Sequence, residues 1–303
     1  MKNLIDIKSL SKEQILEILE LAEKFENGTA VSSCQGSHLA LIFCENSTRT
    51  SISFEMAANK LGIHVYNFDT NKSSLSKGES LKDTIENLYE IGIQGVVIRH
   101  SESGILDKTK KEVNCPIAFI NAGDGNNAHP TQALLDFYTM RKHLGSVEGK
   151  KIAIIGDIRH SRVAHSNVDL LNKFGAKIYF CAPKYFEDAT QEVIFTKSLE
   201  EALKDADVAM FLRIQNERLE DRIPLFDYIH DYGLTTKKLQ QFAKEDVLIM
   251  HPGPVNRDVE MSSEILDGKY GKVILEQAHN GVFVRMAVLD LLLTVRSEGT
   301  GKR

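Results

Sequence analysis

The chain has 303 residues, 42% hydrophobic and 26% charged, with no tryptophan and a net charge of −5; such a length suits two domains of roughly 150 residues each. An acidic chain lacks the basic surface that broad nucleic-acid or anionic-membrane binding requires, so any positive site is local. No apolar run approaches the roughly 18 residues of a membrane span, and the N-terminal segment is interrupted by charge, unlike a signal peptide.

Ser11 and Gln14 form an S-x-x-Q capping box before Ile15, Ile18, Leu19, Ala22 and Phe25, whose spacing predicts an amphipathic helix. After a connector at 27–37, strand-like and helix-like segments alternate: LALIF, SISFEMAANKLG, HVYNFD, SLKDTIENLYEIG, GVVIRH, IAFINA and PTQALLDFYTMRKHLG. From the turn at 146–151 the alternation resumes with KIAIIGD, AKIYFCAP, VAMFLRI and VLIMHP as four buried-type strands and helical segments such as SLEEALKDA and TTKKLQQFAKE between them. A final helix is expected over 281–296, apolar on much of its circumference. This order predicts an α/β protein of two doubly wound domains, each a parallel sheet flanked by helices, joined by interdomain helices. The expected bounds are 1–134 with 281–303 packing back on it, and 135–280. Cys34, Cys44, Cys115 and Cys181 form no C-x-x-C pair, which suits reduced thiols in a cytoplasmic protein and argues against a zinc site.

A cation or strong donor follows nearly every strand-like run: Arg49 after LALIF, Arg99 closing GVVIR, His129 after IAFINAGDG, Arg162 after KIAIIGD, Arg213 closing VAMFLR, and His251 in VLIMHP. In open α/β sheets ligands bind outside the carboxyl ends of the strands, so these groups are expected to converge on a crevice built for anions. ENSTRTS (45–51) sets Ser47, Thr48, Arg49 and Thr50 between a strand and a helix start, where unpaired N–H groups and the positive end of the helix dipole can cradle a phosphate. Ser and Thr also cap helices, but capping explains one hydroxyl and not the arginine. GDIRHSR lacks the G-x-G-x-x-G spacing, which disfavours a nicotinamide dehydrogenase. The remaining histidines have no metal-ligand spacing.

The segment 45–51 resembles the carbamoyl-phosphate loop of the aspartate and ornithine transcarbamoylases. RH at 99–100, NAGDG at 121–125, HPTQALLD at 129–136, GDIRHSRVAHS at 156–166, RIQNER at 213–218 and HPGPVNR at 251–257 are similar to the aspartate branch of that family. The HCLP segment and SMG loop of the ornithine branch are absent. The resemblance implies a carbamoyl-phosphate-binding first domain, an aspartate-binding second domain, and carbamoyl transfer to aspartate in pyrimidine synthesis without metal or organic cofactor. It makes Ser47, Thr48, Arg49 and Thr50 the phosphate site, with Arg99, His129 and Gln132 around the carbamoyl group and Thr50, Arg99 and His129 catalytic. Arg162, Arg213 and Gln215 then bind aspartate, beside the backbone turn Pro252, Gly253 and Pro254. Ser74 and Lys77 match a loop that reaches into the neighbouring subunit's site, which implies a cytoplasmic homotrimer with shared sites. Whether regulatory chains or a dihydroorotase attach is left open. A transcarbamoylase for another amine acceptor, and a catalytically silent assembly subunit, are the competing readings. Two departures bear on affinity: Ser51 stands where the family commonly has a basic residue, and Gly253 where a larger aliphatic one is frequent.

Overall fold

The computed structural model describes residues 1–68, 78–187, 193–214 and 225–294. The chain divides into two compact units, Met1–Thr131 with Gly281–Arg303, and Gln132–Asn280.

The first unit opens with α1 (Lys12–Glu26), whose capping box is formed as expected, Ser11 accepting from the Gln14 N–H and the Gln14 side chain accepting from the Ser11 N–H. There follow β1 (His38–Phe43), α2 (Thr48–Lys60), β2 (His64–Phe68), α3 (Leu81–Glu90), β3 (Gly95–His100), α4 (Ile105–Glu112), β4 (Ala118–Asp124) and the start of α5 (Pro130–Leu144). The sheet is parallel with order β2-β1-β3-β4. Ile42, Val96, Ile98 and Phe119 are fully buried in one cluster, each side chain contributing about 1.5–3 kcal/mol through burial. Beside β4, Leu4 donates to the Phe119 carbonyl and its own carbonyl accepts from the Asn121 N–H, so the edge of that strand is covered.

The second unit contains β5 (Lys151–Ile155), α6 (Arg162–Lys173), β6 (Lys177–Cys181), β7 (Ile194–Thr196), α7 (Leu199–Leu203), β8 (Val208–Phe211), α8 (Leu225–Tyr232), α9 (Thr236–Phe242), β9 (Leu248–Met250), α10 (Ser263–Asp267) and the first part of α11 (Lys269–Leu293). Its parallel sheet has the order β7-β6-β5-β8-β9. The three-residue edge strand β7 was not among the four expected. The last helix begins at Lys269 instead of 281 and continues through Gly281. Its early turns bury Gln277 and Asn280, polar side chains that break the apolar pattern by which a helix is recognised.

The amino ends of the central strands in this second sheet are fastened by Asp207. Its carboxylate accepts from the Lys151 N–H at 2.9 Å and from Lys244 Nζ at 2.7 Å, with Lys150 Nζ at 3.4 Å. All four cysteines are free; burial pushes the Cys34 and Cys181 thiols up to about 12, which suits inert packing residues.

Candidate active site

In each sheet the chain adds strands to one side of its first strand and then returns to the other. In the first unit the reversal lies between β1 and β3, in the second between β5 and β8. At such switch points the loops leaving the two strands diverge and open a crevice at their carboxyl ends. The arginines singled out above stand at these two places.

At the first switch point, Phe43 pairs with Arg99, and the Cys44 N–H donates to the Arg99 carbonyl at 2.8 Å. The chain then turns into α2, with Ser47 at the N-cap, Thr48 and Arg49 exposed, and Thr50 buried. Ser47 makes no side-chain capping bond and α2 has no acid in its first turn. By contrast Ser11, Ser80, Ser161, Ser198 and Thr235 each cap their helices. The helix-capping explanation of the STRT hydroxyls therefore fails for Ser47, and the leading N–H groups of α2 keep their positive character without a side-chain cap.

Arg99 lies near the end of β3, where its Nη1 donates to the Ala122 carbonyl at 3.2 Å and its Nε is 3.1 Å from Glu45 Oε2. The Nε–H is not aligned for a hydrogen bond, so with Glu45 it forms an ion pair held by charge and proximity. These contacts restrain the guanidinium beside the 44–47 loop. After β4 the NAGDG segment is organised by Asp124. Its Oδ1 accepts from Asn121 Nδ2 at 2.8 Å and the Ala128 N–H at 3.1 Å, while Oδ2 accepts from the Gly104 N–H at 2.8 Å. This turn delivers buried His129 directly before Pro130 and α5.

At the second switch point Gly156 has φ of 124°, and a Cβ there would lie 2.9 Å from the Leu212 carbonyl oxygen. Glycine thus permits the close approach of the two strand ends. Asp157 is fully buried and accepts from His160 Nδ1 at 2.8 Å. Ser161 caps α6 by accepting from the Ala164 N–H, which leaves Arg162 as the first helical residue with 7% of its surface exposed. A buried cation at a helix N-terminus opposes the dipole, so helix stability does not account for it.

Arg213 follows β8, and the next residue, Ile214, donates its N–H to Glu260 Oε1 at 2.9 Å. Glu260 also accepts from the Asn256 N–H at 2.6 Å and Asn256 Nδ2 at 2.8 Å, tying the Arg213 strand end to the loop after β9. Burial raises the Glu260 carboxyl above its ordinary range, while these donors and the Arg213 charge pull it back down. In the same loop the His251 N–H donates to Gln277 Oε1 at 3.0 Å and the Gly253 N–H to His251 Nδ1 at 2.8 Å. Gly253 has φ of 69°, the left-handed conformation glycine adopts readily. Gln132, in α5, is buried and donates Nε2 to Asp136 Oδ1 at 2.9 Å.

The first unit therefore gathers Ser47, Thr48, Arg49, Thr50 and Arg99 at one switch point, with His129 after the adjoining strand β4. The second gathers Arg162, Arg213 and the 252–254 turn at the other. Ser74, Lys77 and Gln215 lie outside the described residues. Sequence reasoning overlooked the acids Asp124, Asp157, Glu260 and Asp136; their one visible sign was position, the first two falling at strand ends. Among the described residues no cluster of His, Cys, Asp and Glu could hold a metal ion.

Residues 2–142 match the carbamoyl-P binding domain of aspartate/ornithine carbamoyltransferase, and residues 148–292 match its Asp/Orn binding domain. The chain belongs to the aspartate/ornithine carbamoyltransferase family. Among solved structures it is similar to the catalytic subunit of M. jannaschii aspartate transcarbamoylase, with 34% identity, a TM-score of 0.85 and coverage of 99% of this chain and 100% of that one. It is also similar to Trypanosoma cruzi aspartate transcarbamoylase in complex with carbamoyl phosphate and aspartate, at 32% identity, TM-score 0.81 and coverage of 95% and 96%. The same enzyme in complex with N-(phosphonacetyl)-L-aspartic acid matches at 32% identity and TM-score 0.82, covering 95% of both chains.

Proposed function

We propose that this chain transfers the carbamoyl group of carbamoyl phosphate to L-aspartate, giving N-carbamoyl-L-aspartate and phosphate in pyrimidine synthesis. The observation that carries the reading is the placement of arginines at the switch points of both sheets, on a family scaffold whose similar structures hold these two substrates.

The two substrates together bring roughly four negative charges, which must be matched by desolvated cations when they are held side by side. Arg49, Lys77, Arg99, Arg162 and Arg213 are assigned that task; the planar guanidinium binds phosphate and carboxylate through paired hydrogen bonds and keeps its charge. The phosphate is assigned to Ser47, Thr48, Arg49 and Thr50, with Ser74 and Lys77 arriving from an adjacent subunit. The carbamoyl group is assigned to Arg99, His129 and Gln132. Aspartate is assigned to Arg162, Arg213, Gln215 and Lys77, its amine held by carbonyls of the turn Pro252, Gly253 and Pro254.

In the reaction the aspartate amine attacks the carbamoyl carbon, a C–N bond forms, the C–O bond to phosphate breaks, and a phosphate oxygen takes the amine proton. No protein nucleophile is required. Holding two reactants in a near-attack geometry can supply about 7–11 kcal/mol of barrier reduction. Donors from Thr50, Arg99 and His129 stabilise the oxyanion that develops on the carbamoyl oxygen.

The assembly is a cytoplasmic homotrimer, the state that the match of Ser74 and Lys77 to a subunit-crossing loop supports. The test is an acceptor screen with carbamoyl phosphate. Aspartate is expected to react and ornithine not, and Arg213→Ala to raise the KM for aspartate; reaction with ornithine alone would overturn the assignment.

A further inference from the structure

We propose that Asp136 is a positioning residue for this reaction, setting which end of Gln132 is offered to the substrate and, through Gln277, fastening the 251–254 turn. The inference rests on the carbamoyl-transfer reading above.

Asp136 lies one helical turn after Gln132 on α5 and is fully buried. Its Oδ1 accepts from Gln132 Nε2 at 2.9 Å and from Gln277 Nε2 at 2.8 Å, and its Oδ2 accepts from Asn167 Nδ2 at 3.0 Å. A carboxylate can only accept, so each amide must turn its NH2 group toward it. An amide with its NH2 so committed directs its carbonyl oxygen elsewhere. For Gln277 that oxygen accepts from the His251 N–H at 3.0 Å, at the start of the HPGP turn. For Gln132 it is left to accept from a donor, the polarity that suits the carbamoyl NH2 and not the carbamoyl oxygen.

Fold stability alone gives little reason for this carboxylate. Burying one costs desolvation that an apolar side chain would avoid. The pairing of α5 with the early turns of α11 is secured elsewhere, by Asn280 Nδ2 donating to Thr139 Oγ1 at 2.9 Å and by Lys142 Nζ 3.3 Å from Glu276 Oε1. What Asp136 adds is a fixed polarity for two glutamines that point in functional directions.

The test is steady-state kinetics on the intact assembled enzyme, wild type against Asp136→Leu, Asp136→Asn and Gln277→Met, with thermal melting of each. Wild-type turnover with aspartate is measured first; its absence would sink the reading of the reaction and leave the arrangement around Asp136 unaffected. Asp136→Leu is expected to lower kcat/KM at least thirtyfold with a raised KM for aspartate. Asp136→Asn, whose amide oxygen can still accept from both glutamines, should return to within about fivefold of wild type. Gln277→Met, which severs only the arm to the turn, should raise the KM for aspartate tenfold or more with kcat within threefold. A purely structural role would lower the melting temperature and leave both KM values unchanged. An unchanged aspartate KM in Gln277→Met, or in a folded Asp136→Leu, overturns the proposal. Should Asp136→Leu fail to fold, Gln277→Met decides it.

Discussion

His129 joins two demands on one side chain. It ends the turn organised by Asp124 and directly precedes the proline that starts α5, and it is assigned to polarise the carbamoyl oxygen. Removing one preorganised oxyanion donor typically costs about 2.7–4 kcal/mol, or roughly a hundred- to thousandfold in kcat. His129→Ala is expected to lose turnover by that factor in a single-turnover assay while retaining its melting temperature within a few degrees; turnover within threefold of wild type would remove the histidine from the chemistry. Arg99 and Arg213 could be read directly from the sequence because a buried parallel strand is a continuous apolar run, and a charge at its end stands out, whereas Lys77 was legible only through the family resemblance. The acids that organise the adjoining loops could not. Asp124, Glu260 and Asp136 act by accepting from N–H groups distant in sequence, such as Gly104 for Asp124 and Ile214 for Glu260, and neither charge pattern nor periodicity encodes such partners.

The same contrast governs which helices and strands were foreseen. Eight strands and the capped first helix follow from apolar runs and a capping box. By comparison α4 buries only Leu106 and Thr109, and β7 is three residues at a sheet edge, so neither presents enough pattern to be recognised. The early part of α11 was concealed because its inward positions are occupied by Gln277 and Asn280, whose hydrogen bonds to Asp136 and Thr139 take the place of apolar burial. At the opposite end of the second sheet from the arginines, Asp207 predicts a pH response confined to stability. Burial is the largest single influence on its carboxyl and acts upward, but the Lys244 hydrogen bond, the Lys151 N–H and the charges of Lys244 and Lys150 together hold it below the usual aspartate value. A depressed carboxylate stabilises the fold above its unfolded-state pKa and loses that contribution as pH falls through the folded one. Asp207→Asn should therefore lower stability by about 1–3 kcal/mol near neutral pH, with the difference from wild type vanishing in strong acid. Urea midpoints across the pH range measure this; a constant difference down to the lowest pH would contradict it.

The proposed sharing of sites between copies makes a prediction about the assembled protein. Light scattering should give three times the chain mass. Arg99→Ala and Lys77→Ala chains, each nearly inactive alone, should regain part of the activity when dissociated together and reassembled, because some mixed sites then receive both native side chains. Failure of the mixture to exceed either parent would refute the sharing. N-(phosphonacetyl)-L-aspartate at a hundred times its Kd should stabilise the folded assembly by about 2.7 kcal/mol, read as a rise in Tm. The division of the chain also carries a consequence for biosynthesis. The first unit draws on residues 281–303 as well as 1–131, whereas the second occupies the uninterrupted stretch 132–280. In the completed fold Arg285 donates to Ser53 Oγ, and Asp290 accepts from the Ser33 N–H and hydroxyl. On the ribosome, then, the part translated first must wait, with Ser33 and Ser53 still lacking these partners, until the last helix has been made.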